Sequence, residues 1–167
     1  MEESFRKQGK IMVYCGQGRG KTSAALGYGM LEAGSGKKVI VIQFLKQKML
    51  EEMEFLKRLE PEIRLFRFSK SEKSFEELSE EQKAEEKANF INALNYSKKV
   101  LATGECDVLI LDEVLGLIDE HVIQCGELVQ VMDSREECDI VLTGRVLPEG
   151  MLDTVDEVYQ IQTMKQG

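Results

Sequence analysis

VYCGQGRGKTSAALG, residues 13–27, decides how the rest of the chain is read. An apolar stretch, KIMVYC, runs into Gly16, Gly18 and Gly20, then into Lys21-Thr22 and a segment rich in Ala, Leu and Met. Strand, glycine-rich turn and helix, in that order, form the context in which G-K-T binds phosphate. The glycines let successive N–H groups turn inward, Lys21 adds a point charge, and Thr22 offers a hydroxyl to Mg2+. The helix starting near Gly20 adds its positive end. A plain strand-to-helix turn with an exposed lysine is the competing reading, and it leaves the coincidence of context and motif unexplained. The loop is also one residue short, because Cys15 stands where a glycine is expected five positions before Gly20.

Outward from the loop, short apolar runs alternate with longer amphipathic ones, the pattern of parallel strands joined by crossing helices. Strands are predicted at Lys10–Cys15, Lys38–Phe44, Ile63–Phe68, Asp107–Asp112, Cys138–Thr143 and Glu157–Thr163. VIVIQF and VLILD are apolar at consecutive positions, which fits strands buried on both faces. Helices are predicted at Gly20–Ala33, ended by Gly34 and Gly36, and at Leu50–Leu59, stopped before Pro61. A long third one is predicted from about Phe75 to Thr103, with Ser74 or Ser79 as its N-cap. The charged run FEELSEEQKAEEK reads as its solvated face. The fold class is therefore α/β: a three-layer, mostly parallel sheet with helices on both faces, of the phosphate-loop NTPase-like (RecA-like) kind. At 167 residues one domain is expected, with residues 1–9 a mobile N-terminal segment.

Composition narrows the function. The net charge is −8, yet the first 48 residues carry nine Lys or Arg against three Asp or Glu. An acidic chain with a basic start suits a small polyanion and argues against a broad nucleic-acid surface. Cys15, Cys106, Cys125 and Cys138 form no C-x-x-C pair, so free thiols in a reducing, cytoplasmic setting are expected. No apolar run approaches the ~20 residues of a membrane span.

Further candidates sit where other strands end. VLILDE, residues 108–113, places Asp112 and Glu113 at the carboxyl end of an apolar strand, as the acidic partners of a phosphate loop. Thr143-Gly144-Arg145 closes another strand, and Arg145 there can meet phosphate or ribose or be simply a surface residue. Gln43, Phe44 and Lys46 end the second strand at the same edge and carry the same two readings. His121 has no evident partner, and no nucleophile or base supplied by the protein is visible.

GQGRGKTSAALG, AGSGKKVIVIQFLK, VLILDE and VLTGR together resemble the phosphate-loop type of ATP:corrinoid adenosyltransferase, in order and spacing, over roughly residues 9–160. That family writes its loop G-x-G-x-G-K-T-T, short by one residue as here. The resemblance implies transfer of the 5′-deoxyadenosyl group of ATP to the Co(I) centre of a reduced corrinoid, with triphosphate leaving. It implies that Gly16, Gln17, Gly18, Arg19, Gly20, Lys21, Thr22 and Ser23 bind the triphosphate, with Arg145 near the nucleotide. It implies Mg2+ held by Thr22 and Glu113, with Asp112 beside them, and assigns Lys21, Thr22 and Glu113 to catalysis. A homodimer and a reductase partner that supplies Co(I) are further implications. The chain departs from the family at Leu31 and Ser35, where R-x-x-G-H-G has arginine and histidine, and MKQG replaces the family's closing G-I-E pattern. It has no Trp to set against the corrinoid, so Phe66, Phe68 and Phe75 are the aromatic candidates. Two other readings compete: a small kinase or NTPase acting on the γ-phosphate, and a non-catalytic ATP- or corrinoid-binding homologue.

Overall fold

The computed structural model describes residues 8–17, 19–45, 54–71 and 73–167. Six strands form one sheet: β1 (Ile11–Cys15), β2 (Val39–Gln43), β3 (Ile63–Arg67), β4 (Val108–Asp112), β5 (Asp139–Gly144) and β6 (Glu157–Gln160). Their order is β3-β2-β4-β5-β1-β6, with every described pairing parallel. All six predicted strands are present, with ends shifted by at most three residues. Parallel pairing brings the carboxyl ends of all six to one edge.

The consecutive apolar residues of the strands divide between two cores. On one face Val39, Val41, Ile63, Val108, Ile110 and Val141 meet Ala25 of α1 (Lys21–Gly34). Gly29 allows this helix to lie close, since a Cβ there would stand 2.9 Å from Ile110 Cδ1 and 3.3 Å from Val39 Cγ1. On the other face Ile40, Ile42, Leu109, Leu111, Ile140 and Leu142 are covered by α2 (Glu80–Thr103), α3 (Gly116–Asp119) and α4 (Cys125–Asp133). Burial on both sides is why these strands read as unbroken apolar runs.

The long helix starts later than its charge pattern suggests. Ser79 accepts from the Gln82 amide while the Gln82 side chain accepts from the Ser79 amide, a capping box that sets the first turn of α2. Ser74 instead precedes a short 3-10 turn, Phe75–Glu77, and Leu78 between the two is extended and buried. Of the predicted Leu50–Leu59 helix, the described portion is a 3-10 helix over Phe55–Leu59; residues 50–53 lie outside the described residues, as do 1–7, Gly18 and Lys46.

Glu86 of α2 is buried, 5 % exposed, and accepts from Ser69 Oγ (2.6 Å), the Lys70 amide (3.0 Å) and Asn89 Nδ2 (3.1 Å). It thereby pins the segment after β3 onto the helix. All four cysteines are free. Cys106 and Cys138 approach to 3.7 Å, and their mutual hydrogen bond together with burial pushes the Cys138 thiol up. Among the described residues no helix is long and apolar enough to cross a membrane.

Candidate nucleotide site

The loop after β1 bends because of its glycines. Gly16 has φ 120°, and a Cβ there would stand 2.3 Å from the Ile161 carbonyl oxygen. Its amide donates to the Arg145 carbonyl (2.9 Å), so the phosphate loop is tied to the turn that follows β5. Gly20, at φ 104°, is the N-cap of α1 and supplies no side chain to its first turn.

This helix differs from the other two longer helices at its N-terminus. The starts of α2 and α4 are closed by capping boxes and carry acidic residues in the first turn. Helix α1 has neither. With no side-chain cap and no acidic residue of its own first turn to offset it, the positive end of α1 favours an anion beside the loop. Lys21 Nζ donates to the Gly16 carbonyl at 2.8 Å, holding an ammonium over the same loop.

Thr22, the second residue of α1, reaches across to β4. Its Oγ1 donates to Asp112 Oδ1 at 2.9 Å, and Thr143 Oγ1 donates to the same oxygen at 2.7 Å. Gln43 Nε2 donates to Asp112 Oδ2 at 3.2 Å. Asp112, Gln43 and Thr143 are 1 %, 2 % and 0 % exposed, so this is a buried carboxylate stabilised by three donors. Thr143 Oγ1 also accepts from the Glu113 amide at 2.7 Å. Glu113 has φ 63°, a strained conformation for a residue with a side chain.

These oxygens suit a hard cation. The Thr22 hydroxyl spends its proton on Asp112 and keeps lone pairs for a metal, and the half-buried Glu113 follows Asp112 directly in sequence. Among the described residues no group of three or more His, Cys, Asp or Glu side chains is gathered for a metal.

A cleft of about 530 Å³ opens beside this network, lined on its loop side by Gln17, Glu113 and Arg145. Its far wall includes Phe75, Glu76 and Glu120, and Leu45, at φ 54°, joins Glu113 as a second strained residue on its surface. Phe75 therefore stands in the cleft, whereas Phe66 and Phe68 pack on Tyr96 with ring centroids 5.2 and 5.7 Å away. Arg19 and Ser23 are exposed beside the loop. Thr143 is the network residue that sequence reasoning passed over, having read TGR for its arginine. Gln43 carried a visible signal, a polar residue closing a strand that is otherwise apolar.

Burial holds the Glu120 carboxyl above its usual range, and the neighbouring Glu76 adds to this by charge and hydrogen bonding, with Asp119 in the same direction and Lys83 opposing. A raised native value means the folded protein binds this proton more tightly than the unfolded chain. The associated stability is full at acidic pH and is lost as pH rises through the native value. Glu120→Gln is therefore expected to stabilise the fold near neutral pH, by less than about 1 kcal/mol because the group is partly exposed, and so to raise the melting temperature. Melting curves across pH should show that gain shrinking toward the ordinary carboxylate range.

A parallel sheet whose first strand leads through a glycine loop into an uncapped helix, with Thr22 bonded to an acidic residue at the end of a central strand, defines a phosphate-loop NTPase-like fold. The family model of ATP:corrinoid adenosyltransferase BtuR/CobO/CobP matches residues 7–167. The chain belongs to that family. It is 28 % identical over 162 residues to a corrinoid adenosyltransferase of Escherichia coli K12, covering 96 % of this chain and 80 % of that protein. With the corrinoid adenosyltransferase CobA of Salmonella typhimurium LT2 it shares 28 % identity over 166 residues, 99 % and 82 % of the two chains. A corrinoid adenosyltransferase of Pseudomonas aeruginosa is 26 % identical over 163 residues, 96 % and 78 % of the two.

Proposed function

We propose that this protein transfers the 5′-deoxyadenosyl group of ATP to the Co(I) centre of a reduced corrinoid. The observation that carries this reading is the open cleft, which begins at Gln17 and Glu113 beside the phosphate loop and extends to the wall formed by Phe75, Glu76 and Glu120. Its opening beside the loop gives a second substrate an approach to the nucleotide. Cobalt supplies the electron pair for the new Co–C bond, the C5′–O bond breaks, and triphosphate leaves with the bonding pair as cobalt is formally oxidised to Co(III). The nucleophile belongs to the substrate, so the protein's part is orientation and charge stabilisation.

In this reading the loop residues Gly16, Gln17, Gly18, Arg19, Gly20, Lys21, Thr22 and Ser23 hold the triphosphate, and Arg145 approaches the nucleotide from the turn after β5. Thr22 and Glu113, with Asp112, would hold Mg2+, which would supply positive charge to offset that of the departing triphosphate. Phe75 faces the corrinoid, whereas Phe66 and Phe68 are turned to Tyr96 and do not line the cleft. Family membership supports a homodimer working in the cytoplasm, with a reductase supplying Co(I).

The test is anaerobic incubation with MgATP and chemically reduced cob(I)alamin. A light-sensitive alkylcobalt spectrum and stoichiometric triphosphate are expected. ADP and phosphate as products would instead identify a kinase or NTPase, and nucleotide binding without turnover would identify a non-catalytic homologue.

A further inference from the structure

Gln43 is the last residue of β2 and lies in register with Asp112 of β4. Parallel strands in register present their side chains to the same face, here the face covered by α1. Asp112 only accepts hydrogen bonds at its oxygens, so the amide nitrogen of Gln43 must be the corner that faces it, and the contact Nε2 to Oδ2 at 3.2 Å agrees. The carbonyl corner, Oε1, is then directed elsewhere. Gln43 is 2 % exposed, and Oε1 has no hydrogen-bond partner among the described residues. A buried acceptor without a donor is costly, and fold stability alone does not account for keeping one.

We infer that Gln43 is a positioning residue of the metal site, orienting Asp112 through its Nε2 and accepting through its Oε1 from a water carried by the nucleotide-bound Mg2+. The inference rests on the nucleotide and metal reading above. Mg2+ retains several waters when it binds through one or two carboxylates and phosphates, and each such water needs an acceptor. Thr22 and Thr143 saturate Asp112 Oδ1, so that oxygen has little left to offer a water. Gln43 Oε1, on the same buried row, has its full capacity. The other buried charge in the described chain, Glu86, already accepts from three donors.

The experiment measures the ATP dissociation constant by calorimetry, with Mg2+ and again in excess EDTA, for the parent chain, Gln43→Met and Gln43→Asn. Met keeps the length and removes both polar atoms; Asn keeps the amide and withdraws it by one methylene. Both variants are expected to weaken MgATP binding by about tenfold to a hundredfold, the usual cost of losing a metal's outer-shell partner, with metal-free affinity unchanged within about twofold. Substituting Mn2+ for Mg2+ and counting bound metal by electron paramagnetic resonance should show the same loss without any corrinoid present. An equal loss with and without metal, or no loss in either variant, overturns the inference while leaving nucleotide binding intact. Failure of the parent chain to bind MgATP at all overturns the underlying reading instead.

Discussion

Lys21→Ala is expected to lower the rate of adenosyl transfer by about 10²–10³-fold, the range seen when one preorganised donor to a developing negative charge is removed. The size follows from where the charge stands. Lys21 opens a helix whose first turn carries no acidic residue and no side-chain cap, and its ammonium is held over the loop by the Gly16 carbonyl at 2.8 Å. Charge on the leaving triphosphate would therefore meet the helix dipole and Lys21 together, in a place prepared before substrate arrives. Lys21→Arg should restore little, because a planar guanidinium does not fit where a compact point charge fits. Single-turnover kinetics with saturating ATP separates this from weaker binding, and an unchanged melting temperature excludes misfolding. A loss smaller than about tenfold would mean that the backbone amides of the loop suffice.

The second large effect concerns stability. Phe90→Ala should cost about 3–5 kcal/mol, from lost burial and the cavity left behind. Phe90 is 1 % exposed on α2 and packs against Phe44 and Phe75, with ring centroids 6.4 and 6.2 Å apart. That loss is a large share of the 5–15 kcal/mol typical of a domain, and urea denaturation should show it as a lower midpoint with little change in slope. Because Phe75 forms part of the cleft wall and leans on Phe90, the apparent KM for the corrinoid should rise more than that for ATP. Equal changes in both would place the corrinoid elsewhere. Phe90→Leu retains most of the volume and should lie between the two.

Much of the architecture was legible because its signals are local. An apolar run such as VLILD announces a strand buried on both faces wherever its neighbours lie. GQGRGKT specifies a loop and a helix start within a dozen residues. The long helix was legible in its extent but not in its start, since Ser74 and Ser79 are equivalent until it is seen which hydroxyl meets a Gln three residues on. Helices α3 and α4 and the 3-10 turn at Glu149–Thr154 left weaker traces. They are short, and the cap of α4 is Gln124 with Glu127, a pair outside the usual Ser, Thr, Asp or Asn signal.

By itself the sequence determined the phosphate loop, the six strands and the two acidic residues at the end of β4, because glycine spacing and hydrophobic runs act over a few residues. Tertiary structure alone decided that Gln43, Asp112, Thr143 and Thr22 form one buried network. These residues come from β2, β4, β5 and α1, and only the strand order β3-β2-β4-β5-β1-β6 brings them within hydrogen-bond distance. The same order separates the three phenylalanines, leaving Phe75 in the cleft while Phe66 and Phe68 turn to Tyr96. Which polar side chains share a carboxylate depends on contacts between residues up to 90 positions apart, and no periodicity in the chain records that.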